Sequence, residues 1–274
     1  MKKKTAKARA RKAPRVPERA RSAPRVPERA RSAPRVIEDE LAAALRWLER
    51  KGSDKTRDGM RGYGIHTEKA FGVTVANIRA LAKRLGPDHA LALALWESGW
   101  YEARMLSAFV AEPERVTPAL MDRWCRGFDN WALCDTLCFH LFDRTPHAFS
   151  KVSAWAERRE EFQKRAAFAL LATLALHGRG TDAQLRRCLP LIERAAADDR
   201  NFVKKSVNWA LRAVGERSPE LHADAVAMAQ RLARSEAATP RWIGKDALRS
   251  LESPAILRRL AKRTATAEKK TKKS

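Results

Sequence analysis

From Ile37 onward, apolar residues return every three or four positions in one segment after another, and strand-type alternation of Val, Ile and Thr is nearly absent. This 3.6-residue period predicts helices at roughly 37–51, 54–62, 74–85, 87–97, 100–111, 117–127 and 129–143. It continues at roughly 147–158, 161–177, 181–196, 201–216, 218–235, 240–251 and 253–262. The breaks carry their own punctuation: Gly86-Pro87, Glu112-Pro113, Thr145-Pro146, Gly178 with Gly180, Ser218-Pro219, Thr239-Pro240 and Ser253-Pro254. So many short helices with so few residues between them leave two all-α solutions, a solenoid of stacked helix pairs and a compact bundle.

The short connections and a period of ~40 residues favour the solenoid, a HEAT-like helical-repeat array with weak identity between units and a concave face for a ligand. Three regions follow. Residues 1–36 form a basic arm in which APRVPERARS at 13–22 recurs at 23–32. Without aromatic or large aliphatic residues, that arm is expected to be extended and disordered. Residues 37–262 are the helical-repeat domain, and 263–274 a Lys-rich tail expected to be disordered. The formal charge of +24 is concentrated outside the domain: 14 Lys and Arg stand against Glu18 and Glu28 in the arm alone. Basic tails point to nucleic acid in general, or serve solubility, and say little about the folded body.

The longest apolar run, Ala166 to Leu176, is too short to span a bilayer and reads as a core helix. No signal peptide or transmembrane segment is recognised, so a cytoplasmic protein with no membrane partner is expected. Cys125, Cys134, Cys138 and Cys188 are then expected to be reduced, and to be buried rather than metal ligands, because His140 lies well around the helix from Cys134 and Cys138. No metal and no cofactor are expected.

Chemistry-bearing residues stand off the apolar stripes. Counted at ~100° per residue on a helix opening at Asp129, Leu133, Leu137 and Leu141 lie about 200–280° from Trp131, while Asp135 lies about 40° from it. An indole and a carboxylate one turn apart thus share a face. On the helix at 161–177, Ala167, Leu170, Leu171 and Leu174 cluster opposite Arg165, which taken alone reads as a solvated arginine resting its stem on Ala169 and Ala172. On the helix at 201–216, Trp209 opposes Val203, Val207 and Leu211 and is flanked by Lys205 and Arg212. An exposed indole between cations suits a ring stacked near phosphates; an indole packed on the adjacent repeat is the alternative. The sites 131/135, 165 and 209 are about one repeat apart, which would set them side by side on the concave face.

These residues resemble the HEAT-like-repeat DNA alkylation repair glycosylases, the AlkD-like family, over most of 57–252. The resemblance is carried by Lys69-Ala70-Phe71-Gly72-Val73, by Asp129-Asn130-Trp131-Ala132-Leu133-Cys134-Asp135, by Lys164-Arg165, and by the segment from Phe202 to Arg212. It implies Asp135 as the catalytic carboxylate, Trp131 and Trp209 as aromatic walls around the lesion, and Arg165 as a contact to the DNA backbone, while Lys205 and Arg212 are expected to contact DNA because they flank Trp209. One departure is Ala132, where the family motif often has an acidic residue, and it leaves lesion preference less securely carried over than fold.

The expected activity is that of a monofunctional DNA glycosylase hydrolysing the N-glycosidic bond of cationic N3- or N7-alkylated purines in double-stranded DNA, acting as a monomer. The rival is a non-catalytic HEAT-repeat nucleic-acid-binding protein that recognises DNA structure.

Overall fold

Helix starts are written locally. Ser53, Thr74, Asp88, Thr117, Asn130, Thr181 and Ser218 each sit in extended backbone and accept, through a side-chain oxygen, a backbone N–H two or three residues into the helix that follows. Pro118 and Pro219 open their helices where a missing N–H costs nothing. The computed structural model describes the backbone of residues 34–271 and the side chains of 35–263.

Among the described residues there are fourteen α-helices and no strand. They are α1 (Pro34–Lys51), α2 (Asp54–Gly62), α3 (Val75–Leu85), α4 (His89–Glu97), α5 (Tyr101–Val110), α6 (Pro118–Arg126) and α7 (Trp131–His140). After these come α8 (Ala148–Ala156), α9 (Glu161–Leu176), α10 (Asp182–Ala195), α11 (Asn201–Gly215), α12 (Pro219–Ala233), α13 (Ala238–Leu251) and α14 (Pro254–Thr271). The fold is the all-α HEAT-like solenoid.

Successive odd-numbered helices from α3 to α13 pack side by side as one layer, and α8, α10 and α12 form a second layer behind its C-terminal half. Within the first layer neighbours run parallel. Arg165 near the start of α9 meets Asp135 near the start of α7, whereas Thr173, two turns later, hydrogen-bonds the Cys138 carbonyl. Asn208 of α11 likewise meets Asp246 of α13 at equivalent depth. Their N-terminal ends therefore share one edge, and that edge carries the site.

Helix α9 is enclosed by α7, α8 and α11, so every residue from Arg165 to Ala175 is buried. The core-helix expectation for 166–176 holds up to Ala175, with Leu176 at the end exposed. Close approach of α12 and α13 is possible because Gly244 carries no side chain: a Cβ there would lie 2.2 Å from the Ala233 nitrogen.

Three boundaries differ from expectation. The helix predicted at 129–143 is α7 alone, because Asn130 adopts φ −152° as the cap and Leu141 (φ −135°, ψ −60°) breaks the helix before a 3-10 turn at Phe142–Arg144. At the N-terminal side, α1 already includes Pro34, inside the expected arm; the rest of that arm, 1–33, lies outside the described residues. At the other end α14 runs on to Thr271 instead of stopping at 262, in a stretch rich in Ala and Lys whose propensity sustains a helix beyond the last apolar position. No helix among the described residues is long and apolar enough to cross a membrane.

Candidate functional site

Asn130 places Trp131 in the first turn of α7 by accepting the Leu133 N–H at 2.9 Å, and Asp135 follows one turn later on the same face. The Trp131 indole N–H donates to the Tyr63 carbonyl at 2.9 Å, tying α7 to the turn after α2. Arg165 reaches from α9 and donates through Nε to Asp135 Oδ1 at 2.9 Å and through Nη2 to Oδ2 at 2.7 Å. Its Nη1 donates to the Phe202 carbonyl at 2.7 Å. A single guanidinium thereby joins α7, α9 and the first turn of α11.

Around this junction lies an open cleft of about 570 Å³, lined by Gly62, Tyr63, Gly64, Trp131, Asp135, Arg165, Asn201, Phe202 and Lys205. It is large enough for one nucleobase with its sugar. The Asp135 side chain lining it is 21% exposed, and the Arg165 side chain is 8% exposed. Burial pushes the Asp135 carboxyl up from its ordinary value, while the charge and hydrogen bonds of Arg165 pull it back. Against its own burial, Arg165 is held above its ordinary value by the same carboxylate.

The structure brings together four of the six residues singled out in the sequence: Trp131, Asp135, Arg165 and Lys205. Trp209 and Arg212 do not line the cleft. Trp209 is half-buried against the core one turn beyond Lys205, so the packed alternative describes it better than the exposed one. Arg212 is half-buried a turn further on, with its Nε buried and unpartnered. The solvated-arginine reading of Arg165 is corrected: all sides of α9 are covered there, and three guanidinium N–H groups are already engaged within the protein. In this position the guanidinium holds both oxygens of Asp135 and the Phe202 carbonyl.

Two aromatic residues were missed. Phe202, in the first turn of α11, lines the cleft along with Trp131, and so does Tyr63, which is 73% exposed. Gly64, at φ +72°, lets the chain pass close to the Phe202 ring, within 3.1 Å of where a Cβ would be. Phe202 lies one repeat beyond Arg165, the spacing that could have identified it.

The sulfur-containing cluster is inert. All four cysteines are free and buried, and burial pushes the Cys125 and Cys138 thiols up and Cys188 to about 11, so these three are thiols and not thiolates at neutral pH. His140 rests between Phe109 and Phe139, and burial, with Arg79 and Arg144 nearby, lowers it to about 4.

Comparison with known proteins bears on the family and the fold. The sequence profile described as "DNA alkylation repair enzyme" matches residues 44–251. A solved structure from a family related to the HEAT-like repeat DNA glycosylases, with affinity for branched DNA structures, superposes with a TM-score of 0.64 at 20% identity over 76% of this chain and 94% of that one. At that identity the likeness establishes the fold alone. A designed armadillo repeat protein in complex with a (KR)4 peptide is more remote, with a TM-score of 0.33 at 12% identity over 64% of this chain and 92% of the other. No curated protein sequence matches the chain. With the profile spanning the whole array from α1 to α13, this chain belongs to the DNA alkylation repair enzyme family.

Proposed function

We propose that the chain is a monofunctional DNA glycosylase that hydrolyses the N-glycosidic bond of cationic N3- or N7-alkylated purines in duplex DNA, acting as a monomer. The observation that carries this reading is the carboxylate of Asp135 in an open cleft that Trp131, Phe202 and Lys205 also line. Alkylation leaves the purine positively charged, so the base departs with the electron pair of the C1′–N bond and becomes neutral. The deoxyribose takes on oxocarbenium character, and water then bonds to C1′ and gives up a proton, leaving an abasic sugar. Asp135 stabilises the developing positive charge and orients that water.

The aromatic faces supply selectivity. A cationic ring over indole or phenyl gains about 1–2 kcal/mol on desolvation that a neutral base does not. Lys205 is exposed and forms no ion pair among the described residues, which suits a phosphate flanking the lesion. Arg165 acts through Asp135 as a positioning residue.

A second reading, non-catalytic recognition of DNA structure, is favoured by one observation: both oxygens of Asp135 already accept hydrogen bonds from Arg165. The related structure's affinity for branched DNA points the same way. Incubation with methylated duplex separates the two. Free alkylpurine and abasic sites, absent with Asp135→Asn, support the glycosylase; tight binding with no released base supports the alternative.

A further inference from the structure

One repeat beyond the cleft, a second aromatic residue stands open on the same edge of the helical layer. Trp242 is the fifth residue of α13 and is 42% exposed, unlike Trp96, Trp124 and Trp155, which are buried. The Lys204 ammonium lies over its ring at 5.8 Å from the centroid. Lys245, three residues on, shares its face of the helix and is exposed. Among the described residues neither lysine forms an ion pair. The nearby carboxylate, Asp246, is taken up by Asn208 at 2.7 Å and Arg249 at 3.1 Å.

Consecutive residues connect this patch to the cleft. Lys205 lines the cleft, and Lys204 turns to Trp242. Because α11 and α13 are parallel and in step, Trp242 lies one helix beyond the turn of α11 that carries Lys204 and Lys205. A lone indole rimmed by lysines is a poor surface for a second copy of this basic chain. It suits a polyanion that also carries flat rings.

We propose that Trp242, with Lys204 and Lys245, binds an unpaired nucleotide of DNA next to the duplex held at the cleft, with the base stacked on the indole and its phosphates on the two ammonium groups. An unpaired base is required because, inside a duplex, both faces of every base are covered by its neighbours. Lys204 occupies one face of the ring, and the exposed remainder is left to the base. This inference rests on the DNA-binding reading of the cleft.

The test is a comparison of one duplex with blunt ends and the same duplex carrying a short single-stranded overhang, by fluorescence anisotropy at fixed salt. The wild-type chain is expected to prefer the overhang. Trp242→Ala is expected to lose that preference, binding the overhang substrate about 5- to 100-fold more weakly, the range for one base–aromatic stack, with blunt-duplex affinity and release of methylated base unchanged. Trp242→Phe should keep most of the preference, and Lys204→Gln should reduce the salt dependence of overhang binding. Equal binding of both substrates by the wild type, or an equal loss on both with Trp242→Ala, overturns the proposal. So does a change of oligomeric state with Trp242→Ala at unchanged DNA affinity, which would make the patch a protein contact. A wild-type chain that binds neither substrate removes the reading of the cleft as well, whereas binding without preference removes this inference alone.

Discussion

Arg165 holds both carboxylate oxygens of Asp135, at 2.9 and 2.7 Å, from a helix in the next repeat. A bidentate guanidinium fixes the plane of the carboxylate as well as its distance, so the oxygen edge presented to the cleft is set before any ligand arrives. It also supports the anion where burial opposes it. The pair joins what a catalytic carboxylate needs, orientation and charge, in one contact.

Asp135→Asn should fold as the wild type does and bind DNA with similar affinity, because the amide is isosteric and the cleft walls are untouched. Base release should fall by a factor on the order of 10²–10³, the scale for losing one electrostatic stabiliser. Single-turnover excision of a methylated base, with circular dichroism and a binding isotherm, checks this. Wild-type excision in a folded variant removes Asp135 from the chemistry.

The pH profile should report the same carboxyl. Burial raises it above the ordinary aspartate value, so excision should be lost on the acid side at a higher pH than an ordinary aspartate would give. The native state holds this proton more tightly than the unfolded chain. The stability linked to it is therefore present at low pH and lost as pH rises from the ordinary value through the raised one. Arg165→Gln removes the group that pulls the carboxyl down, so its acid limb should move to still higher pH. An unmoved limb in that variant would mean that another group controls the profile.

Phe202 and Trp209 should part company. Phe202→Ala and Trp131→Ala should weaken binding of alkylated duplex by about 5- to 30-fold and plain duplex much less, since an aromatic face distinguishes a cation. Trp209 packs on the core away from the cleft. Trp209→Ala should instead cost stability, roughly 1–3 kcal/mol for a half-buried ring, with little change in discrimination. Urea denaturation alongside competition binding separates the two effects; selective loss of alkylated-substrate binding in Trp209→Ala would return it to the site.

The helices were legible because caps and breaks are local chemistry, written in Thr117-Pro118, Asn130, Thr181 and Ser218-Pro219. The end of α7 was not, because Leu137 and Leu141 keep the helical spacing across a backbone that has already turned. Trp131 and Asp135 were legible as a pair since four residues on one helix need no tertiary information. Arg165 could not be placed from its own helix: the stripe opposite it gave no sign that the remaining, Ala-rich face of α9 is covered too, and the burial of its guanidinium depends on a carboxylate from another repeat. Phe202 was overshadowed by Trp209 on the same helix. Tyr63 follows the last turn of α2, where its backbone carbonyl, invisible to any residue pattern, receives the indole.

The rim formed by that turn depends on Glu102. This fully buried carboxylate accepts three backbone N–H groups, from Phe71 at 3.0 Å, Gly72 at 2.7 Å and Val73 at 3.1 Å. The Gly72 carbonyl in turn accepts the Ser53 N–H at 3.1 Å, and Ser53 caps α2. Helix α2 has no buried residue of its own, so its position relies on such contacts at its ends. In Glu102→Gln an amide N–H₂ confronts a backbone N–H, which should cost about 1–3 kcal/mol. The local consequence is more diagnostic: amide exchange at 71–73 should quicken, and excision should fall while the α9 and α11 amides stay protected. Uniform loss of protection across the array would make Glu102 a support of the whole fold rather than of the cleft wall.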